Sequence, residues 1–340
     1  MDSFTQAALG AAVGQAVAGP RVGRRAAFWG AVAGTLPDLD VVAYPFLDLA
    51  GQLYVHRGVT HGLAFGLVIG PLLGWLIWRI ERWRGRNDSE RDAGTWRLWA
   101  GVMALGLVTH PLLDAFTVYG TQLLAPFSNH PFAVGSLFII DPLVTVPMLA
   151  TLLIALRARP ARRRVWVVAG LAMGCVYLAA GVGAQASATA TVEAAYAERG
   201  VEPDRLLVVA GPLSSLHWRG VADLGETLEP FHLHLTDAPG DVTFEPTLSP
   251  ARWPEAVRQG RDATALRWFS RGWLAELPTD NDELAIADVR FGRAGLDSTD
   301  PFVFAWAFDE EPPYSARQLD RELGFEEGEW GRLMDRILGR

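Results

Sequence analysis

The chain has 340 residues, half of them hydrophobic, with a formal net charge of −8 and one cysteine. The net acidic charge argues against a nucleic-acid binder, and a single cysteine excludes disulfides and cysteine-based zinc knuckles. Any metal must therefore be held by histidines and carboxylates. The high apolar content directs attention to membrane segments.

In chain order, the first two apolar segments are short and rich in small residues. Ser3 to Ala18 contains Gly10 and Gly14, and Ala26 to Leu36 contains Gly30 and Gly34. These GxxxG spacings allow helices to approach closely in lipid. Asp2 stands where a signal peptide would carry a basic residue, and the first arginines follow the apolar stretch. Four longer runs follow: Gly62 to Trp78, Leu98 to Leu113, Leu137 to Leu156 and Val165 to Ala184. Runs of roughly 17 to 25 apolar residues suit a hydrocarbon core of about 30 Å.

Arginine clusters lie between the members of each successive pair. They are Arg21, Arg24 and Arg25; Arg79, Arg82, Arg84, Arg86, Arg91 and Arg97; and Arg157, Arg159, Arg162, Arg163 and Arg164. Placing all three on the cytoplasmic side gives a six-segment topology with everything after Ala184 outside. The predicted architecture is an α-helical multi-span membrane domain over 1–184. It is followed by a β-rich (α+β) water-exposed, extracytoplasmic domain over 185–340. Within the latter, Leu206 to Ala210, Phe231 to Leu235, Leu284 to Phe291 and Phe302 to Phe308 read as strands, and Leu319 to Leu338 as one or two helices.

The membrane half concentrates the ionisable residues that chemistry needs. His110 and Asp114 are spaced i, i+4, so on a helix both leave one face and can hold one ion, or the carboxylate can orient the imidazole. Thr60 is placed to cap the first long span, with His61 in its first turn and His56 in the preceding loop. Asp38 and Asp40 follow Pro37, which ends the second segment; carboxylates two apart in a turn can ligate one ion or bridge two. The arginine rule, applied without reference to these residues, puts Asp2, Asp38, Asp40, His56, His61, His110, Asp114 and Asp141 at one membrane face. Ionisable groups at membrane depth are costly and mark function. In the tail, His232 and His234 share a strand face, with no third ligand nearby, and read as a polar face.

The blocks Met1-Asp2-Ser3-Phe4-Thr5-Gln6 with Leu9-Gly10-Ala11-Ala12, Leu36-Pro37-Asp38-Leu39-Asp40, His56-Arg57-Gly58-Val59-Thr60-His61, His110-Pro111-Leu112-Leu113-Asp114, Thr117-Val118-Tyr119-Gly120 and Pro126-Phe127-Ser128 stand in a set order. Together they resemble the YdjM-like family of membrane-bound metal-dependent hydrolases, from Met1 to about Pro142. That family resembles, at a remove, the zinc phospholipase C and single-strand nuclease superfamily, in which a His-x-x-x-Asp helix supplies zinc ligands. His110 and Asp114 match that element, and Asp38 or Asp40 with His56 or His61 match an earlier Asp and His pair. At Gln6 many family members carry His, which implies one or two ions here rather than three.

The resemblance implies hydrolysis of a phosphoester, such as a phospholipid head group, at the outer face of a bacterial inner membrane. One or two divalent ions, zinc foremost, would be held by Asp38, Asp40, His56, His61, His110 and Asp114. Asp141 or Asp40 would be the proton acceptor. The alternatives are a non-enzymatic, metal-stabilised membrane scaffold or regulator whose outer domain binds a partner, and an ion transporter. Ligand depth and openness separate the three.

Overall fold

A computed structural model of the chain describes residues 1–85, 92–279, 283–319 and 328–339. Arg86 and Arg91 of the second arginine cluster, and the stretch 320–327 of the last expected helix, lie outside the described residues. The chain divides into two compact units. The first comprises Met1–Pro45, Tyr54–Val134 and Ile139–Ala180; the second comprises Phe46–Leu53, Gly135–Phe138 and Gly181–Arg340.

Helices dominate the N-terminal region: α1 (Ser3–Val22), α2 (Arg25–Thr35), α3 (Leu49–Val55), α4 (Leu63–Trp83), α5 (Asp92–Asp114), α6 (Pro142–Arg157) and α7 (Pro160–Glu198). The Asp2 side chain caps α1 by accepting from the Thr5 amide at 2.9 Å. Helix α6 starts five residues later than the apolar run, because Asp141 is its N-cap and Pro142 its first residue. Thr60 does not cap α4. Val59–His61 forms a 3₁₀ turn, Gly62 takes the N-cap position, and the Thr60 hydroxyl is turned towards Asp40 and His61.

Among the described residues, two helices are long and apolar enough to cross a membrane, Leu63–Trp83 and Ala161–Glu198, and Pro142–Arg157 is apolar but shorter. The six-segment reading therefore meets shorter helices than it expects. At 1.5 Å per residue, the 11 residues of α2 reach only about 16 Å. Helix α1 buries Thr5, Gln6 and Gln15, which lowers its hydropathy.

Glycines set the packing of the first unit. A Cβ on Gly10 would lie 2.2 Å from the Gly30 carbonyl oxygen, and one on Gly14 would lie 2.2 Å from that of Ala26. The α1 and α2 backbones are in direct contact there, as the GxxxG spacing requires. A second glycine row does the same between α4 and α5. Cβ atoms on Gly70 and Gly74 would lie 2.5 Å from the Ala104 Cα and 2.3 Å from the Ala100 Cα. Helix α5 packs against α1, α2 and α4 together, so its C-terminal turn is fixed from three sides.

In the second unit, two antiparallel four-stranded sheets follow the latter part of α7. One is β1 (Arg205–Ala210), β2 (His217–Asp223), β3 (Leu228–His234) and β4 (Thr243–Phe244). The other is β5 (Leu274–Leu277), β6 (Ala285–Asp288), β7 (Ala305–Phe308) and β8 (Ala316–Gln318). Helices α8 (Glu255–Arg258), α9 (Arg261–Ser270) and α10 (Glu329–Leu338) complete it. Trp218, Phe231 and Leu233 form one core with Val192 and Tyr196 of α7. Val289–Phe291, expected as strand, is a 3₁₀ turn capped by Asp288. Asp288 also forms a fully buried bidentate pair with Arg290, at 3.0 and 2.6 Å.

Gly30→Ala is expected to destabilise the first unit by about 1–3 kcal/mol through overpacking. Gly174→Ala, where an added Cβ meets nothing within 4 Å, is expected to leave stability nearly unchanged. Thermal unfolding of the two variants in detergent checks the contrast.

Candidate metal centre

The site assembles where α5 ends. His110 and Asp114 occupy its last turns, and both side chains are fully buried. The His110 Nδ1–H donates to the Gly34 carbonyl of α2 at 2.6 Å. That bond fixes the tautomer and aims the Nε2 lone pair inward. The 3₁₀ turn Val59–His61 delivers His61, and the 3₁₀ helix Pro37–Phe46 delivers Asp38 and Asp40.

Four ligand atoms converge, from Asp38, His61, His110 and Asp114. The two Nε2 atoms of His61 and His110 are 3.1 Å apart. Asp38 Oδ1 lies 3.4 Å from the former and 3.3 Å from the latter. Asp114 Oδ2 lies 3.5 and 3.4 Å from the same two atoms. A tetrahedron with bonds of about 2.0–2.1 Å, as zinc makes to nitrogen and oxygen, has edges of about 3.3–3.4 Å. These five separations run from 3.1 to 3.5 Å. Asp114 Oδ2 is also buried without a hydrogen-bond partner, which is costly unless something cationic completes it. The donor set thus fits a small divalent ion.

Around these four lies a layer of orienting groups. Asp40 accepts from the Arg57 amide at 3.1 Å and from Thr60 Oγ1 at 3.3 Å, and pairs with His56 Nδ1 at 3.0 Å. Its Oδ2 is 3.5 Å from His61 Nδ1. Asp40 and His56, both expected as ligands, therefore stand outside the four converging donors and position His61 from behind. Gln6 donates to Asp114 Oδ1 at 3.0 Å and to the His110 carbonyl at 3.2 Å. It orients a carboxylate and is not itself among the four converging donors. The Met1 amino group also contacts Asp114 Oδ1. Asp141 is not in the group; it caps α6 and accepts from the Tyr177 hydroxyl at 2.9 Å. His130 is exposed and stacks edge-on with Phe132.

Burial opposes ionisation of Asp38, but when His110 and His61 carry protons on Nε2 in place of an ion, their hydrogen bonds outweigh it and hold its carboxyl below the usual range. Asp38 is thus an anion at neutral pH. Burial, with the Asp40 charge, pushes the Tyr44 hydroxyl up to about 12, so Tyr44 stays neutral beside His56.

Sequence reasoning did not single out Arg57. Its guanidinium is buried, donating to Thr117 Oγ1 at 2.9 Å and lying 3.4 Å from Asp114 Oδ1 and over the Tyr119 ring. Its Nε has no hydrogen-bond partner, and its backbone is left-handed at φ 55°. Such a backbone is uncommon outside glycine and clusters at functional sites. The available signal was a lone cation between the two histidines of the His56–His61 block. A second acidic group, Asp297, Asp300 and Glu329, is already engaged by Arg332 and backbone amides.

The arrangement is a buried His/Asp site of a helical protein with membrane-length helices. The YdjM inner membrane protein family matches residues 1–188, and the chain belongs to that family. Inner membrane protein YbcI of Escherichia coli (strain K12) is 34% identical over 131 residues, which is 38% of this chain and 69% of that protein. Uncharacterized protein YfhP of Bacillus subtilis (strain 168) is 32% identical over 164 residues, 45% of this chain and 46% of that one. No solved structure matches the chain.

His61→Ala is expected to weaken zinc binding by at least about 100-fold, whereas His56→Ala weakens it about tenfold through lost orientation. Competition against a chromophoric chelator measures both.

Proposed function

We propose that this chain is a membrane-bound, metal-dependent hydrolase of phosphoesters. The observation that carries the reading is the convergence of two imidazoles and two carboxylates, of which Asp38 alone is partly exposed. The His61 and His110 side chains are 0% exposed and Asp114 1%, while Asp38 is 22% exposed. A divalent ion held by these four residues would supply a Lewis acid and, with water entering beside the partly exposed Asp38, a bound water of lowered pKa. Arg57, beside Asp114 and with donor capacity to spare, neutralises charge on a phosphoryl oxygen. His56, held by Asp40 and partly exposed, takes the proton of the attacking water, and the ester oxygen leaves with a proton from solvent. Zinc suits two imidazoles and two carboxylates at this spacing.

The inner-membrane family and the arginine clusters support a multi-pass chain with this site at the outer face and the C-terminal unit extracytoplasmic. A phospholipid head group is the substrate class that such a location favours. A second reading has its own observation: four protein donors, three of them fully buried, also describe a closed structural site. In that case the ion stabilises a scaffold.

Assay of the zinc-loaded protein in mixed micelles, with phospholipids and a chromogenic phosphodiester, tests the proposal. Turnover is expected, and Arg57→Lys is expected to cut kcat/KM by about 100-fold with metal content retained. Stoichiometric metal without turnover of either substrate class, and unfolding on chelation, would favour the scaffold.

A further inference from the structure

In the second unit, strand register gathers charged side chains on one sheet face. Along β2, Trp218 and Ala222 enter the core shared with α7, so His217 and Arg219 point the other way. Arg219 is paired across the sheet with His232, and His217 with His234. His232 is paired with Thr243, which puts Glu245, two residues on, at the same face. Helix α10 packs on β2 and β3 and carries Arg336, and the turn after β6 packs on β2 and leads into Arg293.

Three guanidiniums, of Arg219, Arg293 and Arg336, thus act on the single Glu245 carboxylate. His232 Nδ1 stands 3.7 Å and Arg293 Nε 3.9 Å from its oxygens, beyond hydrogen-bond reach. Both nitrogens are buried without a hydrogen-bond partner. Asp288, which acts on Arg219, is taken by Arg290, and Asp300 and Asp297, which act on Arg293 and Arg336, are engaged by the Asp297 amide and by Arg332. The space is built to admit a guanidinium: a Cβ on Gly292, at φ +72°, would lie 2.8 Å from Arg219 Nη1. His217 adds no charge, because burial pushes its pKa down to about 3. The three guanidiniums are half-buried; Arg293 Nη1 donates to the Asp300 carbonyl at 2.6 Å and Arg336 Nη2 to the Leu296 carbonyl at 3.2 Å, while Arg293 Nε and His232 Nδ1 stay unfilled, a state that an added anion relieves.

We propose that this face binds a phosphate group through Arg219, Arg293, Arg336 and His232. The donors come from a strand pair, a turn and a helix; Glu245 meets neither His232 nor Arg293 at hydrogen-bond distance, whereas a tetrahedral oxyanion accepts from all these directions. The same guanidiniums exclude a metal cation. Glu245 is the built-in competitor for the ligand. The site lies in a different unit from the metal centre and does not depend on the function of that centre.

The test is calorimetric titration of the full chain in detergent, with chelator present, using inorganic phosphate and, in parallel, dioctanoyl phosphatidic acid. One equivalent is expected to bind. Arg219→Gln is expected to weaken binding at least about tenfold, and Glu245→Gln to tighten it several-fold, roughly the effect of removing one charge-assisted hydrogen bond or one competing carboxylate. Equal affinity for both probes assigns the site to a free phosphate compound, and binding of the lipid alone assigns it to a head group. No binding of either probe to wild type and Glu245→Gln overturns the proposal, as does binding that neither substitution changes.

Discussion

Asp114 is the group on which the first unit depends. It is a carboxylate with no exposure to speak of, one oxygen held by Gln6, Arg57 and the Met1 amine, the other facing two imidazoles with no hydrogen bond. A buried anion of this kind must be met by positive charge on every side. The elements that meet it come from α1, from the 37–61 region and from the last turns of α5. They converge only because the helix backbones touch at glycine. The Gly34 carbonyl that fixes His110 belongs to a residue whose Cβ would lie 2.3 Å from the Gln6 carbonyl oxygen. Close packing and site geometry are therefore one constraint.

Much of this was legible in the sequence, and the misses have physical reasons. His110 and Asp114 declared themselves by i, i+4 spacing, because helix periodicity alone sets which side chains share a face. Gly10, Gly14, Gly30 and Gly34 declared the α1–α2 contact, and Gly66, Gly70 and Gly74 carried the same spacing unremarked in a span read only for its hydropathy. The division of labour between Asp38 and Asp40 was not legible. Two carboxylates in one turn have the same chemistry, and which one faces the histidines depends on the 3₁₀ path of Pro37–Phe46. Arg57 was hidden because an arginine in a loop reads as a topology marker; its burial depends on Thr117 and Tyr119, about sixty residues away in sequence.

In the C-terminal unit β1, β3, β6 and β7 were anticipated, whereas β2 and the short strands β4, β5 and β8 were not. The run His217-Trp218-Arg219-Gly220-Val221 breaks alternation with a glycine, and its strand state comes from pairing with β1 and β3. The same miss concealed the arginine opposite His232. With β2 in place, a face read only as polar becomes a focused cationic one.

Everything proposed for the first unit requires that Asp38, His61, His110 and Asp114 hold a divalent ion. Elemental mass spectrometry of the detergent-purified protein decides this, with zinc supplied, no chelator used, and the His110→Ala/Asp114→Ala variant alongside. About one equivalent of zinc is predicted in the wild type, at the two-imidazole, two-carboxylate stoichiometry of a single site, together with its loss in the variant. A folded wild-type protein that retains no metal, or a variant that retains as much as wild type, would contradict the assignment.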